Sequence, residues 1–481
     1  MKNIKSHHPL YDQFADSWKK MRDAVDGEDV VKSAGISYLP MKSGMLAIDD
    51  KVVQSEAYKN YQLRAEFPEI TSPTINGSRG LIHSKPTTYT LPPALEYLVE
   101  KATPDGQTLA SLHEKITTEV LTTGRYGLLP GVNKAGQFYL AGYTAESIIN
   151  WDNTDGVSDY VVLDESGDRR NKDTNVWSYQ EQYLECRLDS ASNAFTVTRY
   201  NGETPEDLPI ATRKDGTALG ELPFVFINTL GLEQNPDDVP MYGLAKIAYR
   251  IYRMDADYTH GLHMTSEPTP WVSGYDNPKK AAEDSMVPKA IGATQIWVLP
   301  KGGQAGFLEF NGPGLEAQAK AIATALERAA IFGAQILSDE NQAAESGNSR
   351  RLRIRSQEAI LHTVNRVVAQ GLQKALRNIA IWAGEDPTKV VVTPPEDIID
   401  HNLGPAELTS LVNGWMSGAY SKQTLFYNIK RGSMVPQDRT FEQEQEFIEE
   451  EPPALAGVAP AGGISNPMKK NYTTDEDPKS V

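Results

Sequence analysis

The spacing of apolar residues predicts two long helices in the second half of this chain. In the first, residues 314–337, apolar side chains recur at steps of three and four and so share one helical face. The second, residues 350–383, repeats this pattern and ends before Gly384, with Pro387 just beyond. At about 1.5 Å per residue, that helix would be roughly 50 Å long. The intervening residues 338–349 include no large apolar side chain and predict a polar loop.

The first half of the chain mixes helical and strand-like patterns. Helices are predicted at 11–25, 52–67, 92–102 and 109–123, and a turn is predicted at Asn76-Gly77. Between Gly127 and Phe226, short β-branched and aromatic runs alternate with Asp-Gly and Asn-Gly turns. The strand candidates are 138–140, 161–163, 183–188, 195–200 and 224–227. The fold class that follows is α+β, with a mostly antiparallel sheet.

A further helix, 242–264, is separated from helix 314–337 by a segment with little helical pattern. Three short strand-like runs lie in this segment, at 271–272, 295–299 and 307–310, and they predict a small hairpin between the two helices. After the long helix come an apolar run at 390–392 and helices at 408–417, 422–430 and 441–451. Residues 452–481 are rich in Pro, Ala, Gly and charge, and they predict disorder.

Composition indicates a chain with more than one structural part. Its 481 residues are more than a domain with one hydrophobic core usually contains. Its apolar fraction of 40% and charged fraction of 23% are ordinary. The single cysteine, Cys186, rules out an internal disulfide framework, fits a reducing cytoplasm and is interpreted as a packed small residue. No apolar run is long enough to span a bilayer, and the first residues lack the apolar core of a signal peptide. We therefore expect synthesis and folding in a cytosol.

The net charge bears on nucleic-acid binding. It is formally −17 at pH 7, with a pI near 5.0. Affinity for DNA comes largely from Lys and Arg side chains that displace counterions from phosphates. The charge therefore argues against tight static binding of DNA, and it is compatible with an acidic surface past which DNA slides.

Sequence motifs for nucleotide binding and for nucleophilic catalysis are absent, and no cofactor or catalytic residue is predicted. There is no P-loop, no G-x-G-x-x-G after a strand and no G-x-S-x-G. One group could bind a metal: Asp257, His260 and His263 are spaced three apart and would share a helical face. The zincin pattern, with His at i and i+4, does not occur there. A metal-dependent hydrolase using these residues is one alternative, and structural or solvated polar contacts are the other.

Four arginines, Arg350, Arg351, Arg353 and Arg355, open the longest predicted helix. A helix N-terminus carries partial positive charge, so each cation there is unfavourable by about a few tenths of a kcal/mol. An anion is expected to compensate. Two interpretations remain open: ion pairs with carboxylates, or passing contacts with DNA phosphates. The carboxylates would be those of a neighbouring subunit or of the adjoining residues Asp339, Glu340 and Glu345.

The order of several short motifs resembles that of phage portal proteins, in particular the family described by a domain of unknown function in tailed-phage genomes. The motifs are Tyr58–Phe67, Gly124–Leu128, Ala145–Trp151, Pro223–Asn228, Ala256–His263, Pro268–Pro270 and Phe307–Gly314. Each is weak alone. Their number and order, spread over residues 50–320, make the resemblance specific.

Similarity to portal proteins implies a ring of twelve subunits at one capsid vertex, the head-tail connector of the virion through which double-stranded DNA is packaged and ejected. The partners it implies are the terminase large subunit, the major capsid and scaffolding proteins, and the head-completion or tail adaptor proteins. Assembly would take place in the cytoplasm of the bacterial host, without a membrane. A different ring protein of the virion is the alternative within the same class.

The resemblance also assigns a part to each segment of an elongated portal-type subunit. Residues 1–240, with later segments, correspond to an α+β wing, 241–265 and 313–337 to two stem helices, 266–312 to a small β-containing clip, 338–349 to a tunnel loop, 350–384 to a long spine helix, 385–450 to a helical crown and 451–481 to a disordered tail. The residues expected to line the DNA channel are Asp339, Glu340, Asn341, Gln342, Glu345, Asn348, Arg350, Arg351 and Arg353. The clip residues expected to dock partners are Trp271, Tyr275, Lys279, Lys280, Trp297 and Phe307.

Overall fold

The chain divides into two units, Met1–Ile398 and Ile399–Val481, each with its own internal contacts. The computed structural model describes residues 3–189, 194–208, 212–266, 269–283, 287–288, 296–308, 312–332, 347–395, 405–432, 434–436 and 439–450. The predicted disordered tail, 451–481, lies outside the described residues. Within the described ranges, no helix combines the length and the apolar character needed to cross a membrane.

Helices form the beginning and the end of the first unit. They are α1 (Pro9–Asp26), α2 (Glu28–Ser33), α3 (Ser43–Leu46), α4 (Lys51–Arg64), α5 (Thr71–Ile82), α6 (Leu109–Thr123), α7 (Tyr242–Ser266), α8 (Pro278–Glu283), α9 (Pro313–Phe332) and α10 (Gly347–Ala383). The predicted helix 109–123 is confirmed at both ends. Thr108 Oγ1 accepts a hydrogen bond from the Ser111 amide at its start, and Gly124, with a φ of 78°, ends it.

The strands lie mostly between α6 and α7. They are β1 (Thr88–Thr90), β2 (Arg125–Val132), β3 (Phe138–Thr144), β4 (Ile148–Thr154), β5 (Val157–Asp164), β6 (Gly167–Arg170), β7 (Trp177–Gln180), β8 (Gln182–Asp189), β9 (Ala194–Asn201), β10 (Thr204–Asp207), β11 (Val225–Asn228), β12 (Thr269–Val272), β13 (Ala305–Leu308) and β14 (Val391–Thr393). One sheet has the order β10-β9-β8-β5-β4 and another the order β11-β2-β3. The neighbours in both pair antiparallel, which confirms the predicted α+β class.

The two larger sheets share an apolar core, in which Trp151 and Phe226 belong to one cluster of buried side chains. Arg125 lies within this core: its Cζ is 4.1 Å from the Trp151 ring centroid and 4.8 Å from that of Phe226. Burial lowers the pKa of its guanidinium to about 9. Cys186 is also fully buried here, and burial raises the pKa of its thiol, in agreement with a packed and unreactive residue.

The long helix α10 contacts α6, β2, β11 and β14. Its predicted apolar stripe is buried, at Leu361, Val364, Val368, Leu372, Ala375 and Ile379. A Cβ atom at Gly371 would lie 2.5 Å from Ile227 Cγ1, so that glycine permits a close approach of α10 to β11. Gly384, with a φ of 73°, follows the last helical residue as predicted. The helix begins at Gly347, three residues earlier than predicted, and so takes residues 347–349 from the predicted loop.

Two predictions for the N-terminal region are wrong. Asn76-Gly77 lies inside α5 rather than in a turn. This helix packs on α1 and α6 with Thr74, Ile75, Ser78 and Ile82 buried. This packing outweighs the cost of about 1 kcal/mol for each of its two glycines, at positions 77 and 80. The predicted helix 92–102 is a 3-10 helix limited to Pro93–Leu98.

The second unit contains three helices within its described residues: α11 (Pro405–Met416), α12 (Lys422–Arg431) and α13 (Phe441–Glu450). They confirm the helices predicted at 408–417, 422–430 and 441–451. The rings of Phe426 and Phe441 join α12 to α13, with centroids 5.5 Å apart. The segment 385–450, predicted as one part, spans both units, because β14 pairs with β1 in the first.

Candidate functional site

The helices on either side of the insert, α7 and α9, pack along each other. Gly261 lies near the end of α7, and a Cβ atom there would be 2.6 Å from Leu315 Cδ2, near the start of α9. The end of one helix therefore adjoins the start of the other, so the pair is an antiparallel hairpin. Ala325 and Ala329 of α9 are buried, and side chains of this size allow two helices to approach closely.

The first part of α7, Tyr242–Asp257, is the base of the hairpin and is held by aromatic contacts. The rings of Tyr38 and Tyr249 stack with 4.5 Å between their centroids. Tyr249 Oη donates a hydrogen bond of 2.7 Å to the carbonyl oxygen of Lys20 on α1. Tyr252 is fully buried. Because buried aromatic area is a large part of folding energy, these residues fix the direction of α7 relative to the rest of the unit.

Polar side chains of α7 bond to the segment that contains α4. Asp257 Oδ1 accepts a hydrogen bond of 2.8 Å from Tyr61 Oη and lies 3.0 Å from Lys42 Nζ. Six residues further along the helix, His263 Nε2 lies 3.1 Å from Arg64 Nη2. Tyr58–Phe67 and Ala256–His263, two of the motifs that carry the portal resemblance, therefore contact each other.

These contacts bear on the two interpretations of Asp257, His260 and His263. Burial lowers the pKa of His260, and the positive charges of Lys42 and Arg64 lower it further. The positive charges of Lys42 and Arg64 also disfavour the binding of a metal cation at this site. Within the described residues, no three His, Cys, Asp or Glu side chains are grouped so that they could hold a metal ion. The contacts agree with the structural interpretation, and the absence of a metal-dependent activity stays a prediction.

The insert folds as a small antiparallel strand pair, β12–β13, with the short helix α8 following β12. Trp271 pairs with Gly306, and its Nε1 would lie 3.0 Å from a Cβ atom at residue 306, so the indole covers this glycine. The prediction of a strand at 295–299 is wrong, because residues 296–299, its described part, form no strand. The partner of β12 is β13, formed by Ala305–Leu308.

The described insert residues, 269–283, 287–288 and 296–308, are the tip of the hairpin, and they expose large apolar side chains. The exposed fraction is 42% for Trp271, 48% for Phe307, 89% for Ile296 and 78% for Val298. Single exposed apolar residues are common, but several within one short segment are typical of a surface that a partner covers.

Among the predicted docking residues, Trp271, Phe307, Lys279 and Lys280 are exposed, and Tyr275 and Trp297 are half-buried. The prediction did not include Ile296, Val298 and Leu308, which are more exposed than either tryptophan. The alternation of Ile296 and Val298 around Trp297 marks these positions as apolar, but it does not show that they are exposed.

The predicted channel residues follow α9 in the chain. Asp339, Glu340, Asn341, Gln342 and Glu345 lie outside the described residues. Asn348 lies in the first turn of α10, and Arg350, Arg351 and Arg353 follow in the same helix. The side chains of these four residues also lie outside the described part of the structure. The choice between carboxylate and phosphate partners for the arginines stays a prediction.

Comparison with family models gives a match to a domain of unknown function (DUF4055) over residues 240–383. This range includes α7, the insert, α9 and α10, and it is less than half of the chain. It confirms the predicted resemblance to a family described by a domain of unknown function for this range. No curated protein matches the chain.

Three solved structures with a similar chain come from gene transfer agent (GTA) particles. The virion of the native particle matches with a TM-score of 0.38 and 13% identity, over 74% of this chain and 88% of that chain. The neck of the empty particle, computed with C6 symmetry, has a TM-score of 0.39 and 12% identity, over 76% and 90%. The neck of the native particle, computed with C12 symmetry, has a TM-score of 0.38 and 14% identity, over 76% and 90%. The likeness is remote in sequence and in fold.

Proposed function

We propose that this chain is the portal subunit of a tailed phage, a structural protein without catalytic activity. Twelve copies would form a ring at one capsid vertex and enclose the channel through which double-stranded DNA is packaged and ejected. The observation that carries this proposal is the α7–α9 hairpin, anchored at its base and exposed at its tip. It lies in the range of the family match, which also contains three of the motifs that carry the portal resemblance.

The hairpin explains how such a ring would bind partners. The base fixes α7 to the rest of the subunit, so that a ring would present twelve identical tips on one side. Trp271 and Phe307 there supply aromatic surface of the kind that dominates protein interfaces. In this proposal the tips bind the terminase large subunit during packaging, and afterwards a head-completion or tail adaptor protein.

The remaining partners and the location follow from the same proposal. The ring would be built with the major capsid and scaffolding proteins in the cytoplasm of the bacterial host, and it would remain in the virion. Twelve subunits of −17 would carry a formal charge of −204. A channel of this charge would not bind the DNA phosphates tightly, so the DNA could slide through it.

Mass measurement of the purified full-length chain tests the proposal. Twelve chains of 53.0 kDa give about 636 kDa, and native mass spectrometry at micromolar concentration should show a closed ring near this mass. Negative-stain images of the same sample should show a central opening. Monomers or dimers alone would contradict the proposal.

DNA passage needs a test of its own. The acidic residues Asp339, Glu340 and Glu345 are proposed to line the channel without binding DNA tightly. Replacing all three with Lys should add phosphate contacts, raise the affinity of the ring for DNA at low salt and slow packaging. A variant that forms normal rings and packages DNA at the normal rate would show that this segment does not line the DNA path.

A further inference from the structure

A second exposed feature lies outside the hairpin, at the strand pair β6–β7. It continues the β5–β8 pairing beyond a break at residues 165–166, and neither strand pairs with a third in the described structure. Residues 167–180 are called the arm here, and every residue from Asp168 to Gln180 is exposed. An isolated two-stranded hairpin is marginally stable in water. The arm is therefore suited to a place where a partner covers it.

Hydrogen bonds at the turn fix the shape of the arm in advance. Asn171 Oδ1 accepts from the amide nitrogens of Asp173, at 2.8 Å, and Thr174, at 3.2 Å. Asn175 has a φ of 58°, and its Oδ1 accepts a hydrogen bond of 2.6 Å from Arg170 Nη1. A preorganised loop loses less conformational entropy on binding than a flexible one.

The strand register places the strongest binding residues on one face of the arm. Trp177 lies opposite Arg170, and Tyr179 lies opposite Asp168, so these four side chains share a face. The exposed fraction of both Trp177 and Tyr179 is 66%. Trp, Tyr and Arg are the residue types that most often carry the binding energy of protein interfaces. Ser178, between the two aromatic residues, points to the other face.

The charge of the arm differs in sign from that of the rest of the chain. Arg169, Arg170 and Lys172 against Asp168 and Asp173 give the arm a charge of +1, so the other residues sum to −18. Within the described structure, none of the three cations forms an ion pair with a carboxylate. Another copy of this chain is therefore a partner of complementary charge.

The edge strand β10 offers such a surface. Its four residues are exposed, as is the preceding Glu203. Glu203 and Glu206 form no side-chain hydrogen bond or ion pair within the described residues. Pro205 in this strand lacks an amide hydrogen, which disfavours the addition of another strand and leaves the edge available to side chains.

We propose that the arm of one subunit docks on the β10 edge of the next copy, with Arg170 beside Glu206 and the aromatic pair against the edge. The two surfaces are different parts of one subunit, so the contact is head-to-tail. Repeated contacts of this kind close a ring if the rotation between copies permits it. This inference rests on the proposed ring and names the surfaces that join its subunits.

The first experiment measures the protein concentration at which half of the full-length chain is in rings, by mass photometry. Trp177→Ala should raise this concentration by about 10-fold or more, as expected for a residue central to an interface. Ser178→Ala, on the opposite face of the same strand, is the matched control and should change it by less than about 2-fold. Both sites are exposed, so circular dichroism should show an unchanged fold.

A charge exchange tests the partner surface. Arg170→Glu should raise the half-assembly concentration, and Arg170→Glu with Glu206→Arg in the same chain should restore most of the loss, because neighbouring copies are again complementary. Normal assembly of the Trp177→Ala variant, or a double variant no better than Arg170→Glu alone, would overturn the arm contact while leaving the ring intact. If the unaltered chain forms no rings, the proposed function fails and this contact fails with it.

Discussion

The base and the tip of the α7–α9 hairpin use similar residues in opposite ways. At the base, Tyr252 is fully buried and Tyr249 bonds to the backbone of α1. At the tip, Trp271 and Phe307 keep nearly half of their surface in water. Burial of an aromatic side chain contributes to folding, whereas an exposed one remains available to a partner. The difference indicates that stability and partner binding can be altered separately along one hairpin.

The largest expected effect separates the two regions directly. Tyr252→Ala at the base should lower the free energy of unfolding by about 3–5 kcal/mol, since it leaves a cavity among buried residues. Trp271→Ala at the tip should lower it by less than about 1 kcal/mol. Urea denaturation of both variants measures the two values. Similar losses would remove the distinction between base and tip.

Low pH should lower the free energy of unfolding of the first unit, to which the base of the hairpin belongs. His113 of α6 is fully buried, and burial lowers the pKa of its imidazole to about 3. The unfolded chain has the ordinary value of about 6.5 and binds a proton that the folded chain excludes. The free energy of unfolding should therefore fall as the pH drops below about 6.5, by up to about 1.4 kcal/mol per pH unit.

Denaturation curves at pH 7 and pH 5 measure this dependence, and His113→Gln is the comparison. The free energy of unfolding of the variant should depend less steeply on pH, because one histidine that titrates on unfolding has been removed. An equal slope in both proteins would show that His113 is protonated in the folded state. The tip segment contains no histidine, so partner binding by folded rings should not follow this titration.

A smaller difference in stability is expected between alanine substitutions at two glycines, one tightly packed and one without near neighbours. At Gly371 of α10, a methyl group would lie 2.5 Å from Ile227 Cγ1 and 2.6 Å from its Cδ1. Overpacking should therefore make Gly371→Ala lower the free energy of unfolding by about 1–3 kcal/mol. The higher helix propensity of alanine should offset about 1 kcal/mol of this loss. At Gly314, where α9 begins at the tip, a Cβ atom has no neighbour within 4 Å. Gly314→Ala should be neutral or stabilising, and a thermal melt that ranks the pair the other way would contradict this packing.

Local signals in the sequence predicted the elements well where they agree with the tertiary contacts. The cap at Thr108 and the left-handed Gly124 define α6, and the stripe of α10 could be predicted because a helix that packs along one side needs apolar residues at steps of three and four. Asn76-Gly77 misled the prediction, because the contacts of α5 with α1 and α6 override a local turn preference.

The candidate site could be predicted only in part. Proline and glycine near residues 268–274 and 300–314 marked an insert between two helices. Periodicity does not tell whether an apolar residue is covered, so the exposure of Ile296 and Leu308 had to come from the structure. The polar contacts of Asp257 with Tyr61 and Lys42 join residues far apart in the chain, and no local pattern reveals them.

Binding of the terminase large subunit to assembled rings tests the central claim most directly. We expect rings carrying Trp271→Ala and Phe307→Ala together to bind terminase at least about 10-fold more weakly than unaltered rings, since both side chains belong to the proposed docking surface. Val157→Ala removes an apolar side chain of the five-stranded sheet that is more exposed than either tip residue, and it should leave the affinity unchanged. Ring mass should be the same in all three samples. Equal affinity of the tip variant and the unaltered ring would contradict the assignment of the tip as the docking surface.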